Sequence, residues 1–126
     1  MKKFALIFVI FLNSIGFAQQ SQIIAVAAVD RTENSRVCQE AARAPYYLIF
    51  NQQGKLLEVI SNPFIAAARR AGPKVAALLA EKNVTVMLSG DFGHKLKIAL
   101  DEKGINHLAA TGVVQKAIQE LLNKNN

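Results

Sequence analysis

The chain predicts a single α/β domain, a mixed sheet with helices on its faces, and three stretches carry that expectation. Ile23 to Val29 (I-I-A-V-A-A-V) is a near-continuous apolar run of strand length, as a central strand covered on both faces requires. Tyr46 to Asn51 and Lys55 to Ser61 flank the turn residues Gln52-Gln53-Gly54 and read as a hairpin. Beyond Pro73, helical and strand-like segments alternate, which calls for parallel pairing through right-handed crossovers.

A different kind of sequence precedes the first strand. Lys2 and Lys3 make a positive start, Phe4 to Leu12 an apolar core, and Gly16-Phe17-Ala18 a small-x-small cleavage signal, the pattern of a secretory signal peptide over residues 1–18. The apolar core falls short of the roughly 20 residues that span a bilayer. The expectation is therefore cleavage after Ala18 and an exported chain, periplasmic or extracellular, with an uncleaved anchor as the alternative. Residues 19–126 suffice for one domain with a genuine core. No later segment is long and apolar enough to span a membrane, so no membrane contact is expected after cleavage.

In the first strand, Asp30 ends the apolar run, and Arg31 to Ala44 is polar, mixed in charge and without sustained period. It reads as a long loop at the carboxyl end of the strand, a functional or mobile element in a domain this small. Pro45 opens the second strand, where Tyr46, Tyr47 and Phe50 supply aromatic β-formers, and Asn62-Pro63 stops the third. Phe64 to Ala71, alanine-rich with Arg69 and Arg70, is a short helix or an irregular approach to the next element.

Gly72-Pro73 begins a helix with proline in its first turn, its apolar face carried by Val75, Leu78 and Leu79. Asn83 suits a left-handed position at its end. A β-branched run from Val84 then breaks at Ser89-Gly90-Asp91-Phe92-Gly93. Helical spacing resumes at Leu96, Ala99 and Leu100 over about Gly93 to Lys103, closed by Gly104. Ile105 to Ala109 is a short last strand. Thr111-Gly112 can cap a final helix whose Val114, Ala117, Ile118, Leu121 and Leu122 form one stripe, and Asn123 to Asn126 should fray.

Fifteen Lys and Arg against nine Asp and Glu give a net charge of +6, two of the basic residues lying in the leader. The positive charges are spread over helices with no aromatic-interleaved stripe, so they read as a solvated surface and no nucleic-acid partner is expected. Cys38 is the sole cysteine. No internal disulfide can form, which leaves a buried thiol, a link between chains, a reactive group or a ligand.

Arg43-Ala44-Pro45-Tyr46-Tyr47-Leu48-Ile49-Phe50, Gly72-Pro73-Lys74-Val75-Ala76 and Ser89-Gly90-Asp91-Phe92-Gly93 together resemble, in order and separation, the dinitrogenase iron-molybdenum cofactor biosynthesis domain, the NifX-like family, over about Ile23 to Leu122. The resemblance implies a ribonuclease-H-like fold with sheet order 3-2-1-4-5. It also implies a role in binding or carrying iron–sulfur or iron–molybdenum cluster precursors. That order puts a topological switch point between strands 1 and 4, with the Arg31 to Ala44 loop and the Ser89 to His94 turn facing each other across one crevice. Where the family commonly has a His-Phe-Gly triplet before Arg-Ala-Pro, this chain has Glu40-Ala41-Ala42.

The candidate ligand-binding residues are accordingly Cys38, Glu40, Arg43, Lys74, Gly90, Asp91, Phe92, Gly93 and His94. Thiolate and imidazole suit iron–sulfur species and late transition metals, so Cys38 and His94 are the candidate metal ligands, although their spacing matches no zinc or iron–sulfur signature. His107, in the last strand, reads as structural. Asp91 either caps the following helix or touches a ligand, and Arg43 and Lys74 supply charge to an anionic ligand or form solvated ion pairs. No nucleophile, base and orienter set is legible, and Asp30 alone is not a two-metal site, so no enzyme is expected. Two readings follow: an exported binding protein for a metal, cluster or small anion, or a protein-interaction or structural domain that keeps the fold without the cofactor site.

Overall fold

The computed structural model describes residues 21–67 and 69–124. The leader and its cleavage point lie outside them. Five strands, β1 (Ile23–Ala28), β2 (Tyr46–Asn51), β3 (Leu56–Ser61), β4 (Val86–Ser89) and β5 (Asn106–Ala109), form one sheet in the order β3-β2-β1-β4-β5. β1 runs antiparallel to β2 and parallel to β4; β2 and β3 are antiparallel, β4 and β5 parallel. Among the described residues three α-helices, α1 (Ala71–Glu81), α2 (His94–Glu102) and α3 (Val114–Lys124), and a 3-10 turn at Ala41–Arg43 complete the domain.

The apolar run of β1 is explained by two cores, one on each face of the sheet. Ala25, Ala27, Tyr47, Ile49 and Met87 pack with Val75, Ala76 and Leu79 of α1 and with Leu96, Ala99 and Leu100 of α2. Ile24, Val26, Ala28, Leu48, Phe50, Val86 and Leu88 face Val114, Ala117, Ile118 and Leu121 of α3. Alternate residues of a strand point to opposite faces, so a strand covered on both sides has no polar positions. Truncating a fully buried core leucine such as Leu79 is expected to cost about 2–5 kcal/mol.

Element ends differ from the sequence expectation in small ways. β4 pairs from Val86 and β5 from Asn106, so Val84 and Ile105 are buried connectors. Helix α3 continues through Asn123 to Lys124, where fraying was expected. Phe64 to Ala67 is the irregular alternative, a turn closed by the Ala67 N–H on the Phe64 carbonyl at 2.9 Å. Asn83 does adopt a left-handed conformation, with φ 63°.

Arg31 to Ala44 is the long connection expected after β1, and it is stitched to its surroundings by backbone bonds. Cys38 N–H bonds the Ala27 carbonyl at 2.8 Å and Val37 N–H the Gly112 carbonyl at 2.7 Å, while Val114 and Gln115 donate to the carbonyls of Ser35 and Glu33. The backbone of this segment thus does the work expected of Thr111-Gly112 at the start of α3.

Candidate functional site

Two helix starts converge at the carboxyl end of the sheet. Gly72, in the first turn of α1, lies so near α2 that a Cβ there would sit 3.0 Å from the Leu96 nitrogen. A side chain at this position would press on the Leu96 backbone, and glycine avoids that contact. Neither helix is capped by a side chain: the residues before them, Arg70 and Gly93, make no such bond. The N–H groups of Ala71 and Gly72, and of His94, Lys95 and Leu96, have no acceptor among the described residues. Each helix start carries roughly half a positive charge.

These groups border an open cleft of about 610 Å³ whose walls also include Arg43, Arg69, Arg70 and Phe92. Four cationic side chains and a histidine line it, with no carboxylate. Cations beside helix starts oppose the helix dipole, an arrangement that is unfavourable until an anion sits between them. Arg70 adds backbone strain, holding φ 61° in the left-handed region that residues with a Cβ avoid. Glu40 and Asp91 line a smaller adjoining depression of about 240 Å³, which shares Arg43, Phe92 and Gly93 with the cleft.

The expected crevice between the Arg31 to Ala44 loop and the Ser89 to His94 turn is open from Glu40 to Arg43 on one side and from Asp91 to His94 on the other, and is closed where Cys38 and Gln39 meet Gly90 and Asp91. Gly90 N–H bonds the Cys38 carbonyl at 2.9 Å, Asp91 N–H the Gln39 carbonyl at 2.6 Å, and Ala41 N–H the Asp91 carbonyl at 2.9 Å. Ser89 Oγ donates to the Cys38 carbonyl at 2.9 Å. The N–H groups of Gly90, Asp91 and Phe92 are therefore consumed internally and cannot cradle a ligand. Gly90 is required for packing, because a Cβ there would lie 2.8 Å from Gln39 Cα.

Of the residues singled out from sequence, Arg43, Phe92, Gly93 and His94 border the cleft, and Glu40 and Asp91 its neighbour. Asp91 does not cap α2; its Oδ1 accepts the Phe92 N–H at 2.9 Å, and Gly93 is the residue that precedes the helix. Lys74 points elsewhere, over the Phe64 ring at 5.9 Å. His107 bonds Asp101 at 3.1 Å and packs its ring against Phe92.

Cys38 is a half-buried thiol packed against the core, its Sγ donating to the Glu40 carbonyl at 3.6 Å. It does not line the cleft with His94. No group of three or more His, Cys, Asp or Glu able to hold a metal ion occurs among the described residues. The donor set thus suits an anion, not a bare cation or a cluster tied through several thiolates.

Arg69, Arg70, Ala71, Gly72 and Lys95 were not among the candidates. A signal for them existed: paired arginines just ahead of the Gly72-Pro73 helix start, and a histidine and lysine just after the Gly93 one, where carboxylates are the usual choice.

The chain is similar in structure to the apo form of the orange protein from Desulfovibrio gigas, at 27% identity and TM-score 0.78, over 85% of this chain and 92% of that one. A Thermotoga protein provisionally named a NifB protein is 30% identical with TM-score 0.70, over 81% and 88%. A Methanocaldococcus jannaschii protein provisionally named a dinitrogenase shares the fold at 15% identity and TM-score 0.59, over 84% and 92%. No curated protein matches the chain in sequence. The profile of the dinitrogenase iron-molybdenum cofactor family matches residues 22–124, and with the sheet order that family membership implies also in place, the chain belongs to that family.

Proposed function

We propose that this domain is an exported carrier which holds a preformed anionic metal–sulfur cluster, or a precursor of one, in the cleft between the starts of α1 and α2. The observation that carries the reading is the convergence of two uncapped helix starts with Arg43, Arg69, Arg70 and Lys95 on a surface lined by no carboxylate. Such a site binds by charge and backbone N–H donors, as phosphate and sulfate are bound at helix starts elsewhere. Family membership supports a metal-cluster cofactor as the ligand class. The position of Cys38 outside the cleft supports retention without thiolate ligation, with His94 at the rim as the available coordinating group.

The test is anaerobic mixing of the mature chain with anionic metal–sulfur species assembled beforehand in solution from ferrous iron, sulfide and molybdate, followed by removal of unbound species, metal analysis and an absorption spectrum. Stoichiometric uptake with a chromophore is expected, kept in Cys38→Ala and lost in the Arg43→Gln/Arg70→Gln double variant. Loss in Cys38→Ala alone would replace this reading with thiolate ligation. Absence of uptake in the wild type would favour the interaction-domain reading. Export is tested separately: the chain recovered from the envelope fraction is expected to begin at Gln19, and a start at Met1 in the cytosol would refute it.

A further inference from the structure

Arg43 differs from the other basic side chains of the cleft in being tied down. Its Nη1 donates to the carbonyls of Ile65 at 3.3 Å and Ala67 at 2.6 Å, which uses both of that nitrogen's N–H bonds. The three N–H bonds on Nε and Nη2 have no acceptor among the described residues, and the side chain lines both the cleft and its neighbour. A guanidinium held on one nitrogen presents its opposite edge as a fixed pair of donors.

The two turns that meet through this guanidinium are both held by Asn62, a residue only 6% exposed. Its Nδ2 donates to the carbonyls of Ala42 and Ala44, at 3.1 and 2.9 Å, one on each side of Arg43. Its Oδ1 accepts the Phe64 N–H at 2.9 Å, at the start of the turn that carries Ile65 and Ala67. Tyr47 braces the arrangement: its hydroxyl donates to the Ala41 carbonyl at 2.7 Å and accepts from Asn62 Nδ2 at 3.2 Å. Asn62 therefore holds both the residue that carries the guanidinium and the turn that anchors it.

We propose that Asn62 is a positioning residue for the anion site, fixing the Arg43 guanidinium so that its Nε–Nη2 edge serves as a two-point donor to an anion with two adjacent oxygen or sulfur acceptors. This rests on the reading of the cleft as an anion site. Point charge alone then accounts for little of the contribution of Arg43, and orientation for most of it.

The experiment is calorimetric titration of the mature chain with molybdate, a tetrahedral dianion, at low ionic strength. Arg43→Lys keeps the charge and loses the fork; it is expected to weaken binding about tenfold, the worth of a charge-assisted hydrogen bond. Arg43→Lys alters an exposed side chain, which keeps the test independent of whether Asn62→Ala folds. Asn62→Ala is expected to weaken binding in the wild-type background and to have no further effect in Arg43→Gln. Binding by Arg43→Lys within about twofold of wild type would overturn the proposal while leaving the anion site standing. Equal losses from Asn62→Ala in both backgrounds would also overturn it. A wild-type chain that binds no molybdate would remove the anion site and this proposal together.

Discussion

The start of α3 and the starts of α1 and α2 meet the same physical requirement in opposite ways. The first N–H groups of α3, on Val114 and Gln115, are taken up by the carbonyls of Ser35 and Glu33. Those at the other two starts face a cleft lined with arginine and lysine. A helix start that serves only the fold is sealed by the chain's own acceptors, whereas one left open and surrounded by cations is set up for an acceptor from outside. Glu33 and Ser35 of the Arg31 to Ala44 segment therefore seal the start of α3, while Arg43 of the same segment borders the open starts of α1 and α2.

Breaking the close approach of α1 and α2 should have the largest effect. Gly72→Val puts a branched side chain against the Leu96 backbone, and a loss of about 2–3 kcal/mol in urea unfolding is expected, together with loss of molybdate binding. If Gly72→Val keeps wild-type stability, the helix starts are not held by that contact.

The wall behind Arg43 gives the next effect. Burial, with a smaller contribution from the nearby Cys38 thiol, pushes the Tyr47 phenol far above its ordinary range. A raised folded-state pKa means that the neutral phenol contributes stability fully below about pH 10 and that this contribution is lost as pH rises further. Tyr47→Phe should cost about 1–2 kcal/mol at neutral pH through the lost hydroxyl bonds. It should also flatten the alkaline decline of stability above about pH 10, as followed by urea midpoints at stepped pH. An unchanged alkaline slope would show that another group governs it.

Arg70 separates stability from binding. Arg70→Gly relieves the left-handed strain and is expected to stabilise the fold by about 1 kcal/mol. At the same time it should weaken molybdate binding, because a cation leaves the cleft. Movement of both quantities in the same direction would contradict a cost in stability kept for the site. The smallest effect is expected far from either helix start: Lys82→Ala breaks a half-exposed pair with Glu58 and should change stability by less than about 0.5 kcal/mol.

The division between sealed and open helix starts also marks what was legible in the sequence. Strands such as Ile23–Ala28 and Tyr46–Asn51 and the stripe of α3 were readable, because burial on one or two faces imposes a period that residues report locally. The resemblance carried the sheet order, which no local pattern specifies. The site was legible only in part. Arg43, Phe92, Gly93 and His94 were found through their motifs, but the pairing of Cys38, Gln39 and Ala41 with Gly90 and Asp91 depends on backbone bonds between segments some fifty residues apart. Those bonds close the Cys38 end of the expected crevice, and the part left open extends toward Arg69 and Arg70. Reading cations at a helix start as a site signal, rather than as solvated charge, would have pointed there.

The most direct test of the central claim is an amide NMR titration of the ¹⁵N-labelled mature chain with molybdate. Saturable shifts are expected at Ala71, Gly72, His94, Lys95 and Leu96, the open N–H groups, with Val114 and Gln115 unmoved. Shifts centred on Val114 and Gln115, or none at the first five, would contradict it.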